Sequence, residues 1–175
     1  ILQGAGINVD RGSEELMEAI AIQDQFFLCI VGKGDVIDKL KHRCKKNDLL
    51  NKVIFVNTLP YNEMMQYTLN ADIGVSLDKD NNINHKFSLP NKIFDYIKAE
   101  IPILASNLIE VSNIISTYQV GYTISEISSK SILNGLNIVL KTKEESYLKD
   151  RFKHAINDLN WEKESRILIE TYKNF

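Results

Sequence analysis

A parallel, doubly wound α/β domain is the fold class this sequence predicts, and three observations predict it. Apolar, β-rich runs alternate with helix-period segments from the first residue to about residue 125. The apolar runs are short and unbroken, as in strands buried on both faces. The segments between them are long enough for right-handed helical crossovers. The expectation is a single Rossmann-like domain: six parallel strands in the order 3-2-1-4-5-6, helices on both faces and a helical carboxy-terminal tail.

The elements follow in order. "ILQGAG" opens the chain as a strand. "GSEELMEAIAIQ" places Leu16, Met17, Ile20 and Ala21 on one helical stripe. "FFLCIVG" is a continuous apolar strand closed by "GKGD", and residues 35–46 form a charged helix. "KVIFVN" is the third strand, and "TLPYNEMMQYTLN" a helix started by proline. "ADIGVSL" is the fourth strand, followed by a loop at 78–89 that is long for such a connection. A helix from about Pro90, the strand "IPILAS", a helix near 109–117 and the strand "VGYTIS" complete the sheet. Residues from about 128 to 174 read as polar helix, with Trp161 expected to anchor the last one by packing.

Composition bounds the function. A chain of 175 residues with 44% hydrophobic residues suits one globular domain with a full core. A net charge of −2, with positives spread among acids, gives no basic surface for nucleic acid. No apolar run is long enough to span a bilayer. Cys29 and Cys44 are not a CxxC pair and read as idle thiols in a reducing compartment, so a cytoplasmic location is expected. The chain opens directly on a core strand, which suggests a piece of a longer protein.

In the expected strand order, strands one and four are neighbours whose crossovers leave to opposite faces. The crevice at their carboxyl ends is where such sheets bind ligands. Two loops flank it. "GAGINVDRG" carries Gly4, Gly6 and Gly12 but is neither GxGxxG nor a P-loop. It reads either as a backbone cradle for phosphate with Arg11 as a bidentate partner, or as a plain turn with a solvated arginine. The second loop ends in "HKFSLPNK". Ser88 is expected to cap the next helix and Pro90 to set its first turn. The amides at that start, with His85, Lys86 and Lys92 nearby, favour an anion. On the same helix Ile93, Phe94 and Ile97 form the core stripe, and Asp95 projects from the opposite arc, where it could accept from a ribose diol. A well-capped helix with a polar outer face fits the pattern equally well. His42 and His154 sit in charged helices, and no His/Cys/Asp spacing suggests a metal site. Gly32 in "GKGD" either approaches a ligand or turns strand into helix. Tyr61, Tyr67 and Tyr96 are expected at helix edges.

In their order and spacing, "DRGSEELMEAI", "FLCIVGKGD", "NKVIFVNTLPYNEMMQYTLNADIGVSL", "SLPNKIFDYIKAEIPILAS" and "NWEKESRILIETY" resemble the carboxy-terminal, donor-binding half of a retaining GT-B glycosyltransferase. The likeness is to the large group that builds bacterial glycans. The resemblance implies a nucleoside-diphosphate sugar donor, UDP- or GDP-linked, with no cofactor and no metal. It implies an absent amino-terminal half that brings a glycan or lipid-linked acceptor, and at most a peripheral membrane position through that half. In the family an Arg and a Lys five positions apart hold the diphosphate. Here Arg11 stands at the Lys position and Gly6 at the Arg position, so Lys86 or Lys92 would have to complete the clamp. The second family glutamate, on the ribose, matches Asp95; the first falls at Phe87. "SLPNK", residues Ser88, Leu89, Pro90, Asn91 and Lys92, matches the Ser-x-Pro-x-Lys form of the helix start. Backbone groups after strand three, at Thr58 and Leu59, would hold the base. The catalytic residues of the absent half are not in this sequence, and the chain alone is expected to bind donor without turnover.

Two readings from other classes stand beside this one. An epimerase or hydrolase of the GT-B fold would share the donor half and differ in its partner half. The other is a non-catalytic flavodoxin-like or receiver-like module; a receiver would want an acidic cluster after the first strand, and "ILQGAGIN" supplies none. A NAD-binding domain would want GxGxxG and an acid after strand two, whereas Asp35 falls too early in its helix.

Overall fold

The computed structural model describes residues 1–173. Strands β1 (Leu2–Gly4), β2 (Leu28–Gly32) and β3 (Val53–Val56) pair in parallel in the order β1-β2-β3. Strands β4 (Gly74–Ser76), β5 (Ile103–Ser106) and β6 (Gly121–Ile124) form a second parallel sheet in the order β4-β5-β6. The helices are α1 (Ser13–Ile22), α2 (Ile37–Lys46), α3 (Tyr61–Leu69), α4 (Ile83–Lys86), α5 (Asn91–Lys98), α6 (Ile109–Tyr118), α7 (Ser129–Thr142), α8 (Leu148–Asp158) and α9 (Trp161–Lys173).

The expected single six-stranded sheet is thus replaced by two three-stranded sheets. The reason lies at the seam. β1 and β4 are three residues each, and the main-chain bonds between them lie at their amino ends, from the Ile1 nitrogen to the Ile73 carbonyl at 2.7 Å and from Val75 N–H to the Ile1 carbonyl at 3.0 Å. The Tyr96 hydroxyl from α5 reaches the same place. It donates to the Val75 carbonyl at 3.1 Å and lies 3.4 Å from the Ile1 carbonyl. A side chain therefore occupies the Val75 carbonyl, the acceptor that the next rung of a continuous ladder would have used. Tyr96 is fully buried, not at a helix edge as expected, and its ring leaves no room for a Cβ on Gly74.

Strand period decides which face each residue serves. Leu28 and Ile30 join a cluster with Leu16, Met17, Leu40, Ile132 and Val139 from α1, α2 and α7. Cys29 and Val31 turn the other way, toward Met65, Tyr96, Ile97, Val111, Ile115 and Phe152 from α3, α5, α6 and α8. Leu104 against Ile103 and Ala105 repeats the split in β5. Helices on both faces follow. Each fully buried Leu, Ile or Phe contributes about 1.5–3 kcal/mol.

Three local expectations are corrected. In α1 the stripe includes Ala19, and Ala21 is exposed. The region after residue 128 is not merely polar tail, because α7 and α8 bury Ile132, Val139, Phe152 and Ala155. Trp161 does not anchor α9: it is 70% exposed, and α9 buries none of its residues. Residue 174 of the expected tail lies outside the described residues. No helix among the described residues is long and apolar enough to cross a membrane.

Candidate functional site

A cleft of about 350 Å³ lies at the carboxyl end of β1 and the start of α5. Of the residues singled out in the sequence, Gly4, Gly6, Arg11, Ser88, Leu89, Pro90, Asn91, Lys92 and Asp95 line it, joined by Gln3, Ala5 and Met64. A larger hollow of about 600 Å³ opens at the opposite strand ends, among Phe26, Phe27, Ile54 and Leu140. Its walls are mainly apolar, and the charged and helix-start groups converge on the smaller cleft.

The loop after β1 is stitched to the end of β4. Gly12 adopts φ 67°, a left-handed conformation natural to glycine, and a Cβ there would fall 2.5 Å from the Leu77 Cβ. Lys79 N–H donates to the Asp10 carbonyl at 2.9 Å, and the Lys79 ammonium pairs with Glu15 at 2.7 Å. This close approach sets Arg11 Nη1 2.8 Å from Asp78 Oδ2. Asp78, two residues past β4, is 1% exposed, and neither carboxylate oxygen has a hydrogen-bond partner among the described residues beyond that ion-pair contact.

Lys92 belongs to the same group of charges. Part of its side chain reaches the cleft surface. Its partial burial lowers its pKa; Asp78 pulls the other way and Arg11 adds to the fall. The first turn of α5 also offers amides that no helical carbonyl can reach, as at any helix start. Pro90 occupies the capping position with φ −68° and ψ 136°, one residue earlier than expected. Ser88 does not cap α5. Its hydroxyl donates to the His85 carbonyl at 2.9 Å, and no side chain caps this helix start.

Asp95 forms the other wall. Gln3 Nε2 donates to its Oδ2 at 3.0 Å, and the Tyr61 hydroxyl to its Oδ1 at 3.1 Å. The Gln3 carbonyl oxygen in turn accepts from the Thr68 hydroxyl. Burial raises the Asp95 pKa, and the bonds from Tyr61 and Gln3 and the Lys98 charge oppose the rise. The buried stripe of α5 is Ile93, Tyr96 and Ile97, with Phe94 only half-buried. Asp95 is therefore not idle in the fold, as its arc on the helix suggested. It is the acceptor that ties α5 to β1 and α3.

The remaining sequence candidates lie off the cleft. Gly32, with φ 133°, allows a close crossing: a Cβ there would sit 1.9 Å from the Gly4 carbonyl oxygen. Thr58 is exposed, and Leu59 packs partly on the core. Lys86 is exposed on α4, a helix that appears inside the expected loop because Asn82 caps it by accepting from His85 N–H at 2.8 Å. His85 does not line the cleft, and its Nδ1 lies 3.2 Å from the Lys79 carbonyl. Among the described residues no group of three or more His, Cys, Asp or Glu could hold a metal ion.

Two residues at the cleft, Gln3 and Asp78, escaped the sequence reading, and a third, Tyr61, was placed only at a helix edge. Gln3 is a polar residue inside the apolar "ILQGAG", and Asp78 a charge immediately after the apolar "GVSL". Each interrupts a core pattern, which was the available signal. Tyr61 carried no such mark.

The family model for glycosyl transferases group 1 matches residues 7–157. The chain belongs to this family. No curated protein matches it. Among solved structures it is similar to HepE of Anabaena in complex with UDP, at 14% identity and TM-score 0.83, covering 99% of this chain and 48% of that one. It is similar to sucrose-phosphate synthase of Thermosynechococcus elongatus, at 17% identity and TM-score 0.82, covering 99% and 44%. It is also similar to the carboxy-terminal domain of a group 1 glycosyl transferase of Francisella tularensis, at 19% identity and TM-score 0.65, covering 89% and 80%. This glycosyl transferase chain thus spans less than half the length of the first two.

Proposed function

We propose that the chain is the donor-binding half of a retaining glycosyltransferase and that a nucleoside-diphosphate sugar occupies the cleft at the start of α5. The observation that carries the reading is the meeting of unlike groups in one cleft: Arg11, Lys92 and the α5 amides together with the Asp95 carboxylate. A diphosphate suits the cations and amides, and a ribose diol the carboxylate. The neighbour from Anabaena is described in complexes with UDP and UDP-glucose, which supports a UDP-linked donor.

In glycosyl transfer the bond from the sugar's anomeric carbon to the diphosphate breaks, and negative charge gathers on the departing oxygen. Donors already in place stabilise that charge without reorganising. Here Arg11, Lys92 and the amides of Asn91 and Lys92 do so, and the proposal calls on no metal. The acceptor, a glycan or lipid-linked sugar, comes with an amino-terminal half, so this chain alone binds donor without turnover. Thermal shift with matched ligands tests the reading. UDP or GDP should stabilise the chain more than UMP or GMP. Equal shifts for mono- and diphosphates would overturn it.

A further inference from the structure

We propose that Thr68, Gln3 and Tyr61 are positioning residues for the Asp95 carboxylate: they hold its two oxygens so that each keeps one acceptor site free for the vicinal hydroxyls of a ribose. The inference rests on the reading of the cleft given above and adds residues that act through Asp95.

The geometry is a relay that starts in the core and ends at the cleft. Thr68, on α3, is 0% exposed, and Gln3, on β1, is 1% exposed. The Thr68 hydroxyl lies 2.5 Å from Gln3 Oε1 and 3.2 Å from the Met64 carbonyl, and its single proton goes to the nearer acceptor. Gln3 Nε2 then donates to Asp95 Oδ2 at 3.0 Å. The direction of the relay is forced. An ionised carboxylate only accepts, so Gln3 presents its NH2 to Asp95 and its oxygen to position 68. That buried oxygen needs a donor, and the Thr68 hydroxyl is one.

The other oxygen of Asp95 accepts from the Tyr61 hydroxyl at 3.1 Å. Tyr61 is held a second time by α5, because the Lys98 ammonium lies 5.4 Å from its ring centroid, within cation–π range. A carboxylate oxygen has two acceptor sites. Gln3 and Tyr61 fill one on each, and among the described residues no other side chain donates to Asp95. One site per oxygen remains, the number that two neighbouring hydroxyls require. Packing alone does not call for this set. An apolar pair at positions 3 and 68 would fill the same space with no buried amide to satisfy. The polar chain instead runs from Thr68 to Asp95, the one acid that lines the cleft. A carboxylate already fixed in this way pays less ordering entropy when a ligand binds.

Ribose discrimination separates this role from a structural one. UDP, 2′-deoxy-UDP, 3′-deoxy-UDP and UMP would be titrated by calorimetry on the parent, Thr68→Val, Thr68→Ser and Tyr61→Phe, with the guanosine set used instead if the parent binds only GDP. The parent should prefer UDP to each deoxy ligand by about tenfold or more, as for a hydrogen bond to a charged group. Thr68→Val keeps the shape of the side chain and loses its donor; Tyr61→Phe loses the other donor from a ring that is 48% exposed. In both, the preference over at least one deoxy ligand should fall to about threefold or less. Thr68→Ser should retain the parent preference. The preference for UDP over UMP should stay within about twofold of the parent throughout, because that phosphate does not meet Asp95.

An unchanged ribose preference in either Thr68→Val or Tyr61→Phe would overturn the positioning role and leave the donor site standing. So would a fall in Thr68→Ser as large as in Thr68→Val, or a parallel fall in the preference for UDP over UMP, which would mean a cleft loosened as a whole. If Thr68→Val does not fold, the hydroxyl serves folding and the role is overturned. A parent that binds UDP and both deoxy ligands alike would overturn the ribose contact and this inference. A parent that binds neither UDP nor GDP would remove the donor reading as well.

Discussion

Asp78 and Asp95 are two carboxylates flanking one cleft, and their surroundings differ. Asp78 is almost completely buried and faces a cation, with Arg11 2.8 Å away and no neutral donor among the described residues. Asp95 is half-buried and is held by two neutral donors, Gln3 and Tyr61. A carboxylate among cations organises positive charge for something more negative than itself. A carboxylate among neutral donors keeps lone pairs for further neutral donors such as hydroxyls. On the proposed reading the cleft has an anion side and a hydroxyl side, and the chain keeps them apart by placing one acid after β4 and the other on α5.

The largest effect expected is on the structure of the anion side. Gly12→Val would put a β-branched residue at φ 67° and press it into Leu77. Left-handed strain and overpacking together should cost about 3 kcal/mol or more of stability. Urea unfolding measures it, and a near-neutral result would show that the stitch between the loop after β1 and β4 is not rigid.

Arg11→Ala should weaken UDP by about 1.5–3 kcal/mol through loss of a charge-assisted contact, and it should also lower stability by leaving the buried Asp78 carboxylate unpaired. Calorimetric titration of parent and variant would show it. An unchanged dissociation constant would return Arg11 to a partner of Asp78 only.

Asp95→Asn is smaller and acts on the other wall. Its amide keeps Oδ1 on the Gln3 amide, which Thr68 orients, and turns its NH2 to the Tyr61 hydroxyl, whose donated bond is lost. Loss of that bond should cost about 1 kcal/mol. Helix position alone suggested about 0.5 kcal/mol, the level of an ordinary surface change. Chemical denaturation of the variant distinguishes the two. The smallest effect is expected at Ser88→Ala, within about 0.5 kcal/mol, because its hydroxyl bonds the His85 carbonyl and caps nothing. A loss near 1 kcal/mol in the same measurement would restore the capping role.

The strands, the crossover helices and the two flanking loops were legible because hydrophobic period and proline and glycine punctuation are local signals. Leu28 and Ile30 face one cluster and Val31 the other, as a period of two requires. What local pattern could not supply was partnership across the fold. Gln3 meets Asp95 from 92 positions away, and Tyr96 reaches the Ile1 carbonyl from 95. Those contacts split the sheet and bind Asp95, and no window of sequence contains both ends. Ser88 shows the converse: the capping motif was present, but the α4 turn captured the hydroxyl first.

The central claim is the division of the cleft, and one set of titrations tests it most directly. UDP, UMP and 2′-deoxy-UDP would be measured by calorimetry on the parent, Arg11→Ala and Asp95→Asn. The account predicts that Arg11→Ala couples to removal of the β-phosphate and not to the 2′-hydroxyl, and that Asp95→Asn couples to the 2′-hydroxyl and not to the β-phosphate. Additive losses throughout, or both variants coupling to the same group, would contradict it.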